Sequence, residues 1–350
     1  MRAVSEIQRL LFGRPIASSA AGEERLTRSR ALGAFGLDAL SSVAYGPDEI
    51  LYVLLLAGSA GLALNVPVAL AIALLLLIVA TSYRQTIFAY PRGGGSYTVA
   101  RENLGTVAGL TAAAALMVDY LTTVAVSVTA GIQAITAFAP ALFPYRVGLD
   151  VAVICLLVLI NLRGVREAGN AFVLPTYIFI GSLGVLLAWG FLRIIVLGSP
   201  PHVASPPPAV EGLSVFLVLR AFSGGCTAMT GIEALANGVP AFERPESRNA
   251  ASTLLRLALT LAVLFLGVAI LGHAIGAVPS DHANVIAQIG MAVAGNSPLF
   301  YLVQLSAAVI LVLAANTSFN GFPRLAAVMA EDHFSPHQFG YVGLRLAYST

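Results

Sequence analysis

The sequence predicts an all-α membrane protein that crosses the bilayer eight times. Three observations support this prediction. Hydrophobic residues make up 58% of the 350 residues, charged residues make up only 10%, and long apolar runs recur along the chain. A soluble domain of this size would need many more charges on its surface. A helix that crosses the hydrocarbon core needs about 20 apolar residues, and the apolar runs reach that length.

Eight such runs divide the chain, and we number them TM1 to TM8. They cover roughly 31–57, 66–90, 106–138, 147–162, 168–197, 214–238, 250–276 and 297–323. The predicted organisation is an N-terminal arm (1–30), a first five-helix repeat (31–198), a Pro-rich loop (199–213), a partial second repeat (214–323) and a C-terminal segment (324–350). Residues 281–295 have a helical apolar pattern but are too short to span, so we expect a helix lying over the outer mouth.

The arginines indicate which side of the membrane each connection faces. All nineteen basic residues are arginine. Sixteen lie in the N-terminal arm, around the connections after TM2, TM4 and TM6, or after TM8. The other side receives only Arg146 and Arg193, and Arg220 lies inside TM6. By the positive-inside rule, we expect a plasma-membrane protein whose N-terminal arm and C-terminal segment are both cytoplasmic.

TM1 is interrupted in its middle. Asp38 lies inside the apolar run, and residues 41–47 (SSVAYGP) contain small, polar and helix-breaking residues. A carboxylate within the hydrocarbon costs about 3 kcal/mol on insertion scales, so it normally faces a protein interior or an aqueous cavity. Proline removes a helical donor, and glycine lets the backbone leave helical geometry. We therefore expect a discontinuous helix whose freed oxygens face a site near the midplane.

TM6 carries a matching interruption. Small and polar residues fill 223–231, and Glu233 follows them. TM1 and TM6 lie five helices apart and run in opposite directions, which is the pattern of an inverted 5+5 repeat with a substrate site between two broken helices. Such a repeat needs two further spans after TM8, so we expect that the second repeat is C-terminally incomplete. The pattern favours a secondary transporter.

TM3 supplies a stack of oxygen atoms. Tyr120, Thr123 and Ser127 are spaced i, i+3, i+7 and so lie on one helical face, next to Asp119. Asp38 and Tyr45, seven residues apart, are predicted to share a face in the same way. A potassium ion needs several oxygens to replace its hydration shell. The alternative is that these hydroxyls bond their own backbone or join neighbouring helices.

Several stretches together resemble a known transporter family. They are DALSSVAYGPDEI (38–50), SYRQTIFAYPRGGGSYTVARENLG (82–105), MVDYLTTVAVSVTAG (117–131), FSGGCTAMTGIEALANGVPAF (222–242) and LVLAANTSFNGFPRLA (311–326). In this order they resemble the amino acid–polyamine–organocation (APC) superfamily. More narrowly, the stretches in TM1, TM3 and TM6 are similar to those of the KimA-type potassium importers.

The resemblance implies a LeuT-like fold, proton-coupled potassium uptake and a homodimer. The positions that match cation-site residues of the family are Asp38, Tyr45, Tyr120, Thr123, Ser127 and Thr230. Asp119 and Glu233 match intramembrane acidic positions tied to ion binding or proton coupling, a role for which Asp38 is also a candidate. Burial favours a protonated carboxyl group, whereas a nearby cation favours the ionised one, and this opposition is a physical route to coupling.

Three other functions were weighed. An amino-acid permease binds its substrate's carboxylate at the TM1 break, but Asp38 would repel that group. A membrane receptor or scaffold that transports nothing does not explain two broken helices. An enzyme is disfavoured because the sequence presents no set of nucleophile, base or metal ligands. We expect no resident cofactor and no nucleic-acid partner, only potassium and protons as cargo and the lipid bilayer as surroundings.

Overall fold

The structure is a computed structural model that describes residues 25–91, 95–162, 169–198 and 208–341. The first 24 residues of the predicted arm, most of the predicted Pro-rich loop and the last nine residues lie outside the described residues. Within the described ranges the chain is helical and forms no β-strand beyond two isolated bridges.

Eight of the described helical segments are long and apolar enough to cross a membrane, as predicted. They are TM1 Leu37–Leu62, TM2 Asn65–Ala89, TM3 Thr106–Phe138, TM4 Pro140–Asn161, TM5 Phe172–Val196, TM6 Val215–Asn237, TM7 Glu246–Ile275 and TM8 Pro298–Glu331. Three shorter helices are Arg28–Phe35 before TM1, Ser96–Leu104 before TM3 and Val285–Ala294 before TM8. We call the second the loop helix and the third the mouth helix. The mouth helix confirms the helix predicted within 281–295.

TM8 extends beyond its predicted end at residue 323. The helix continues through Pro323 to Glu331, although a proline inside a helix costs about 3 kcal/mol. The alanines 326, 327 and 330 on this extension are buried, and Leu325 packs in a small apolar cluster with Tyr97 of the loop helix. Burial of this apolar face offsets the cost of the proline. The segment predicted to begin at 324 therefore begins as part of TM8.

TM1 is broken where the sequence predicts. Its first half, TM1a, is Leu37–Ser41; a 3-10 turn covers Ser42–Ala44; and its second half, TM1b, is Gly46–Leu54. Tyr45 sits at the junction with φ −127° and ψ −24°. A 3-10 turn thus separates Asp38 from Tyr45, so the two do not lie on one continuous helix, yet Tyr45 remains within electrostatic reach of Asp38.

TM6 is broken in the matching place. Its first half, TM6a, is Val215–Gly225, and a 3-10 turn covers Cys226–Met229. Thr230 is extended, Gly231 has φ +76°, and the second half, TM6b, begins at Glu233 and ends at Asn237. Both interruptions expected from the sequence are thus confirmed.

Contacts among the connections separate two faces of the bundle. On one face, Arg25 of the arm pairs with Glu246 at the start of TM7, and Arg101 of the loop helix pairs with Asp332 after TM8. On the opposite face, Arg146 pairs with Asp281 of the TM7–TM8 connection. The first face is the arginine-rich side of the predicted topology.

The long helices that pack against TM1a and the turn after it are TM5, TM7 and TM8. TM3 and TM8 pack against each other with opposite directions, since Gly131 lies against Ala308 and Leu311 while Tyr120 lies against Gly321. TM1a packs mainly on TM8 and also contacts TM5 and TM7. These helices hold the middle of TM1 inside protein, with Val43 and Ala44 fully buried.

Candidate functional site

The two broken helices touch each other at their breaks. The hydroxyl of Ser42 lies 2.6 Å from the carbonyl of Ala39 and 3.1 Å from the carbonyl of Ala228 in TM6, so it bridges the two turns. A Cβ atom on Gly231 would lie 2.6 Å from the Cβ of Asp38 and 2.7 Å from the backbone nitrogen of Ala39. The close approach of the two backbones therefore requires glycine at 231.

Asp38 lies buried beside this contact, with 7% of its surface exposed. Its Oδ1 has no hydrogen-bond partner among the described residues. Asp119 of TM3 and Glu233 of TM6b are close enough to act on it electrostatically, and both add negative potential. The ion pairs of the described chain include none of these three acids. A buried carboxylate in this setting needs a proton or a cation for compensation.

Tyr45 and Thr230 form a second link between the breaks. Tyr45 is 5% exposed, and its hydroxyl group hydrogen-bonds to the side chain of Thr230. The Thr230 hydroxyl donates to the carbonyl of Thr227 at 3.0 Å. The pair brings one phenol and one hydroxyl to the edge of the Asp38 site.

Glu233 is surrounded by three hydroxyl groups from three different elements. Its Oε2 accepts from Ser96 of the loop helix at 2.7 Å and from Tyr83 of TM2 at 3.5 Å. Its Oε1 accepts from Tyr120 of TM3 at 3.4 Å. The hydroxyl oxygens of Tyr83 and Ser96 also lie 2.9 Å apart; because each hydroxyl has one proton, Tyr83 donates either to Ser96 or to Glu233 while Ser96 donates to Glu233. This arrangement holds the carboxyl group of Glu233 in one orientation, unlike that of Asp38.

Asp119 lies half-buried on TM3, within electrostatic reach of both Asp38 and Glu233. Across the described chain, no three His, Cys, Asp or Glu side chains converge as ligands of a divalent metal would. The three carboxylates are therefore neighbours that influence one another's charge without sharing one point.

Thr123 and Ser127 continue the TM3 face beyond Tyr120. TM3 is an unbroken helix here, which confirms the spacing argument, and the face from Tyr120 to Ser127 rises about 10 Å. Thr123 is 4% exposed and Ser127 fully buried. The Ser127 hydroxyl has no partner within the part of the chain that the structure describes. No described contact joins Thr123 or Ser127 to Asp38. The other six predicted site residues are linked by hydrogen bonds or by electrostatic interactions: Asp38, Tyr45, Asp119, Tyr120, Thr230 and Glu233.

Four residues of this region were not predicted as site residues. Tyr83 and Ser96 hold Glu233, and Ser42 joins the two turns. Thr227 has a buried hydroxyl without a partner among the residues described. Ser42 lay in the predicted break without an assigned role, whereas Tyr83 and Ser96 lie within the stretch 82–105 that carried only the family resemblance. The sequence contains no local signal that links either of them to Glu233, which is more than 130 positions away.

The sequence of the chain is similar to those of known membrane transport proteins. The sequence pattern of the family described as "Amino acid permease" matches residues 35–349. The chain is also 43% identical over 345 residues to the "Potassium transporter KimA" of Bacillus subtilis (strain 168). That match covers 98% of this chain and 57% of the relative, so the chain spans little more than half of the relative's length.

Proposed function

The chain belongs to the amino acid permease family of the APC superfamily, and from this premise we propose that it imports potassium by proton-coupled secondary transport. The observation that carries the proposal is Asp38, a buried carboxylate with an unpartnered oxygen where two broken helices meet. The 43% identity to a potassium transporter supports potassium as the cargo.

The chemistry of the site favours a monovalent cation. The described groups around Asp38 are carboxyl, phenol, hydroxyl and backbone carbonyl oxygens, and these are the ligands that can replace the water around potassium. A single carboxylate with neutral oxygens gives enough attraction to bind the ion and leaves it free to depart. The ion's ligands are drawn from Asp38, Tyr45, Tyr120, Thr123, Ser127 and Thr230.

Proton coupling arises from the neighbouring acids. Asp38, Asp119 and Glu233 repel one another when they are ionised, so a proton on one of them lowers the cost of ionising another. A bound potassium ion acts in the same way as a proton. The two cations therefore compete or alternate at linked groups, and this linkage is the physical route to coupling in the proposal.

The arginine-rich face is cytoplasmic in this proposal. It carries Arg25, Arg28 and Arg101, whereas Arg146 and Arg193 mark the outer face. The membrane is the plasma membrane. A homodimer is part of the proposal on the family resemblance alone, and cysteine crosslinking in native membranes would reveal a second copy.

The second candidate is an amino-acid permease, the activity after which the matching family is named. Such a protein offers free backbone amides to the substrate's carboxylate at the TM1 break. In this chain Asp38 lies within one turn of the break, with two further acids nearby. An incoming carboxylate would meet this negative potential, so the amino acid is the weaker candidate.

Replacement of Asp38 by asparagine tests the proposal. In the full-length protein, Asp38→Asn should abolish growth rescue of a potassium-uptake-deficient strain at limiting potassium, since the amide cannot compensate a cation. Asp150→Asn is the control, because Asp150 is another acid inside a span, half-buried, whose described charged partner is Arg146 of TM4. Both variants should reach the membrane in equal amounts. Full rescue by Asp38→Asn would remove Asp38 from the mechanism.

A further inference from the structure

The mouth helix, Val285–Ala294, is held at both ends by side chains from other elements. At its start, Oδ1 of Asp48 in TM1b accepts a hydrogen bond from the backbone nitrogen of Val285 at 2.9 Å. At its end, Arg193 of TM5 donates to the carbonyls of Ala292 (3.2 Å) and Val293 (2.6 Å). An acid at the N-terminus and a base at the C-terminus both complement the helix dipole.

The two contacts fasten the helix to different parts of the bundle. TM1b is the half of TM1 that follows the break beside Asp38, so Asp48 connects the mouth helix to the broken helix itself. Arg193 connects it to TM5. The mouth helix therefore keeps its contact with Asp48 only while TM1b remains in its present position.

Asp48 differs from Arg193 in being nearly enclosed. Only 5% of Asp48 is exposed, and its second oxygen, Oδ2, is buried without a partner in the described part of the chain. A carboxylate with one bare oxygen away from water is strongly penalised, whereas a neutral carboxyl group pays only the cost of one unmade hydrogen bond. The enclosure of Asp48 thus favours a proton on Oδ2. The N-terminus of the mouth helix favours a negative charge on Asp48, but this effect is weaker.

The charged and titratable neighbours of Asp48 do not neutralise it. On its own helix, Glu49 adds negative potential and Tyr52 is a phenol. The loop before the mouth helix carries Asp281, whose charge also reaches Tyr52. Among the described residues of the packed helices TM6a and TM7, the groups near this face are Arg220 and His273, and both are exposed to the surroundings. No described ion pair involves Asp48.

We propose that Asp48 is a proton-binding latch that closes the mouth helix over the outer end of the transport path. While the helix is closed, Oδ1 accepts from Val285 and Oδ2 carries the proton. When TM1b and the mouth helix separate, the carboxyl group meets water and releases that proton to it, and no other bond is made or broken. That this end of the path faces outward rests on the orientation in the proposed function. The latch contact between Asp48 and Val285 does not depend on it.

The sign of the pH effect follows directly. The closed form binds one more proton than the open form at Asp48, so acid outside favours closure and alkali favours opening. One linked proton changes the ratio of open to closed molecules by at most about tenfold per pH unit. Other contacts brace the loop without titrating, such as the bond from Gln133 to the carbonyl of Ser280 at 2.7 Å.

A cysteine on the buried side of the mouth helix can report when this helix moves away from the bundle. Ala287 is 3% exposed, so Ala287→Cys in a Cys155→Ser, Cys226→Ala background of the full-length protein should react with a membrane-impermeant maleimide only when the helix lifts. Its rate is divided by that of an Asn296→Cys reporter at the same pH, because position 296 is exposed in the closed form. The ratio removes the pH dependence of the thiol reaction. No potassium or transport is needed.

The latch predicts four results. The labelling ratio should rise with external pH in the parent. With Asp48→Asn, a neutral group that keeps the acceptor for Val285, the ratio should stay low at every pH. With Asp48→Ala, which loses that acceptor, it should be high at every pH. His282→Gln should keep the parent's response, since His282 stacks on Phe143 (ring centroids 4.0 Å apart) rather than on Asp48.

Two results would overturn the latch: a labelling ratio that does not depend on pH in the parent, or an Asp48→Asn variant that responds to pH as the parent does. Arg193→Ala guards against a folding artefact. It loosens the other end of the same helix, so it should raise labelling while leaving the pH response in place. A normal labelling pattern in a protein that does not move potassium would contradict the proposed function and leave the latch standing.

Discussion

Gly231 is the residue on which the meeting of the two broken helices most directly depends. Its φ of +76° lies in the region that side chains with a Cβ rarely adopt. In addition, a Cβ there would lie 2.6 Å from the Cβ of Asp38 and 2.7 Å from the nitrogen of Ala39, closer than unbonded atoms approach. The backbone conformation at 231 and the close contact with Asp38 therefore both require glycine. A side chain at 231 would displace Asp38, the proposed potassium ligand.

Gly231→Ala should strongly reduce transport and lower the melting temperature in detergent. The left-handed backbone alone costs about 1–2 kcal/mol with alanine, and the displacement of Asp38 adds to it. Gly105→Ala is the matched control, since Gly105 also has a positive φ (+92°) but no atom within 4 Å of its added Cβ. The control should lose stability without losing rubidium uptake. Equal uptake in the two variants would show that the contact with Asp38 is unimportant.

A site residue could be predicted from the sequence only if its residue type is unusual at its position in a membrane span. Asp38 and Glu233 stand out because acids are rare in apolar runs. Tyr83 and Ser96 do not, because tyrosine and serine are ordinary near the ends of spans. Their role depends on bringing positions 83, 96 and 233 together, which only the fold does. Tyr45 was predicted as a site residue, but the 3-10 turn at 42–44 that separates it from Asp38 was not.

The loop helix, Ser96–Leu104, joins the candidate site to the C-terminal end of TM8. Its first residue, Ser96, holds Glu233. One residue later, Tyr97 donates to Oδ2 of Asp332 at 2.8 Å, and Arg101, one turn on, pairs with the same carboxylate and lies over the ring of Phe334 at 5.6 Å. A single short helix thus contacts both a proposed proton-coupling acid and the end of the longest span.

Breaking the pair between Arg101 and Asp332 should loosen the loop helix. Arg101→Asp or Asp332→Arg alone should speed amide hydrogen exchange in peptides covering residues 96–104, and the double swap should restore much of the protection. Because both groups are exposed to solvent, which screens their attraction, the pair contributes little to the stability of the whole protein and its effect is local. Arg146→Ala, which removes the pair on the opposite face, should leave this exchange unchanged. An unaffected single variant would contradict the role of the pair.

The same pair has a defined dependence on pH. Burial by itself would raise the pKa of Asp332, but the hydrogen bond from Tyr97 and the bond and charge of Arg101 outweigh it and lower that pKa below its usual value. A lowered pKa contributes stability above the unfolded value, near pH 4, and this stability is lost as the pH falls through the folded value. The melting-temperature advantage over Asp332→Asn should therefore be constant from about pH 6 to pH 8 and shrink in acid. An advantage that grows in acid would refute this assignment.

Elements were largely predictable because the bilayer dictates their length and composition. All eight spans and both breaks follow from apolar runs of about 20 residues and from their interruptions. The end of TM8 was missed because burial of Leu325 and the following alanines carries the helix past Pro323. Tertiary packing of this kind does not appear in the local pattern of one sequence.

At the scale of the whole molecule, the account depends on two helices of opposite direction breaking at the same depth. TM1 and TM6 meet through Ser42 and Gly231, and TM3 brings its oxygen-bearing face toward them. The relative at 43% identity is considerably longer than this chain. Ligands contributed by other parts of a longer protein would add to this site, and the two halves of the proposed repeat would then be comparable.

The central claim is that these breaks hold a monovalent cation, and uptake into proteoliposomes tests it most directly. The full-length protein, reconstituted with an imposed inward proton gradient, is supplied with labelled rubidium as a potassium substitute or with labelled amino acids. The account predicts rubidium uptake that depends on the gradient, is inhibited by potassium and is lost with Asp38→Asn. Gradient-driven accumulation of an amino acid without rubidium uptake would contradict it.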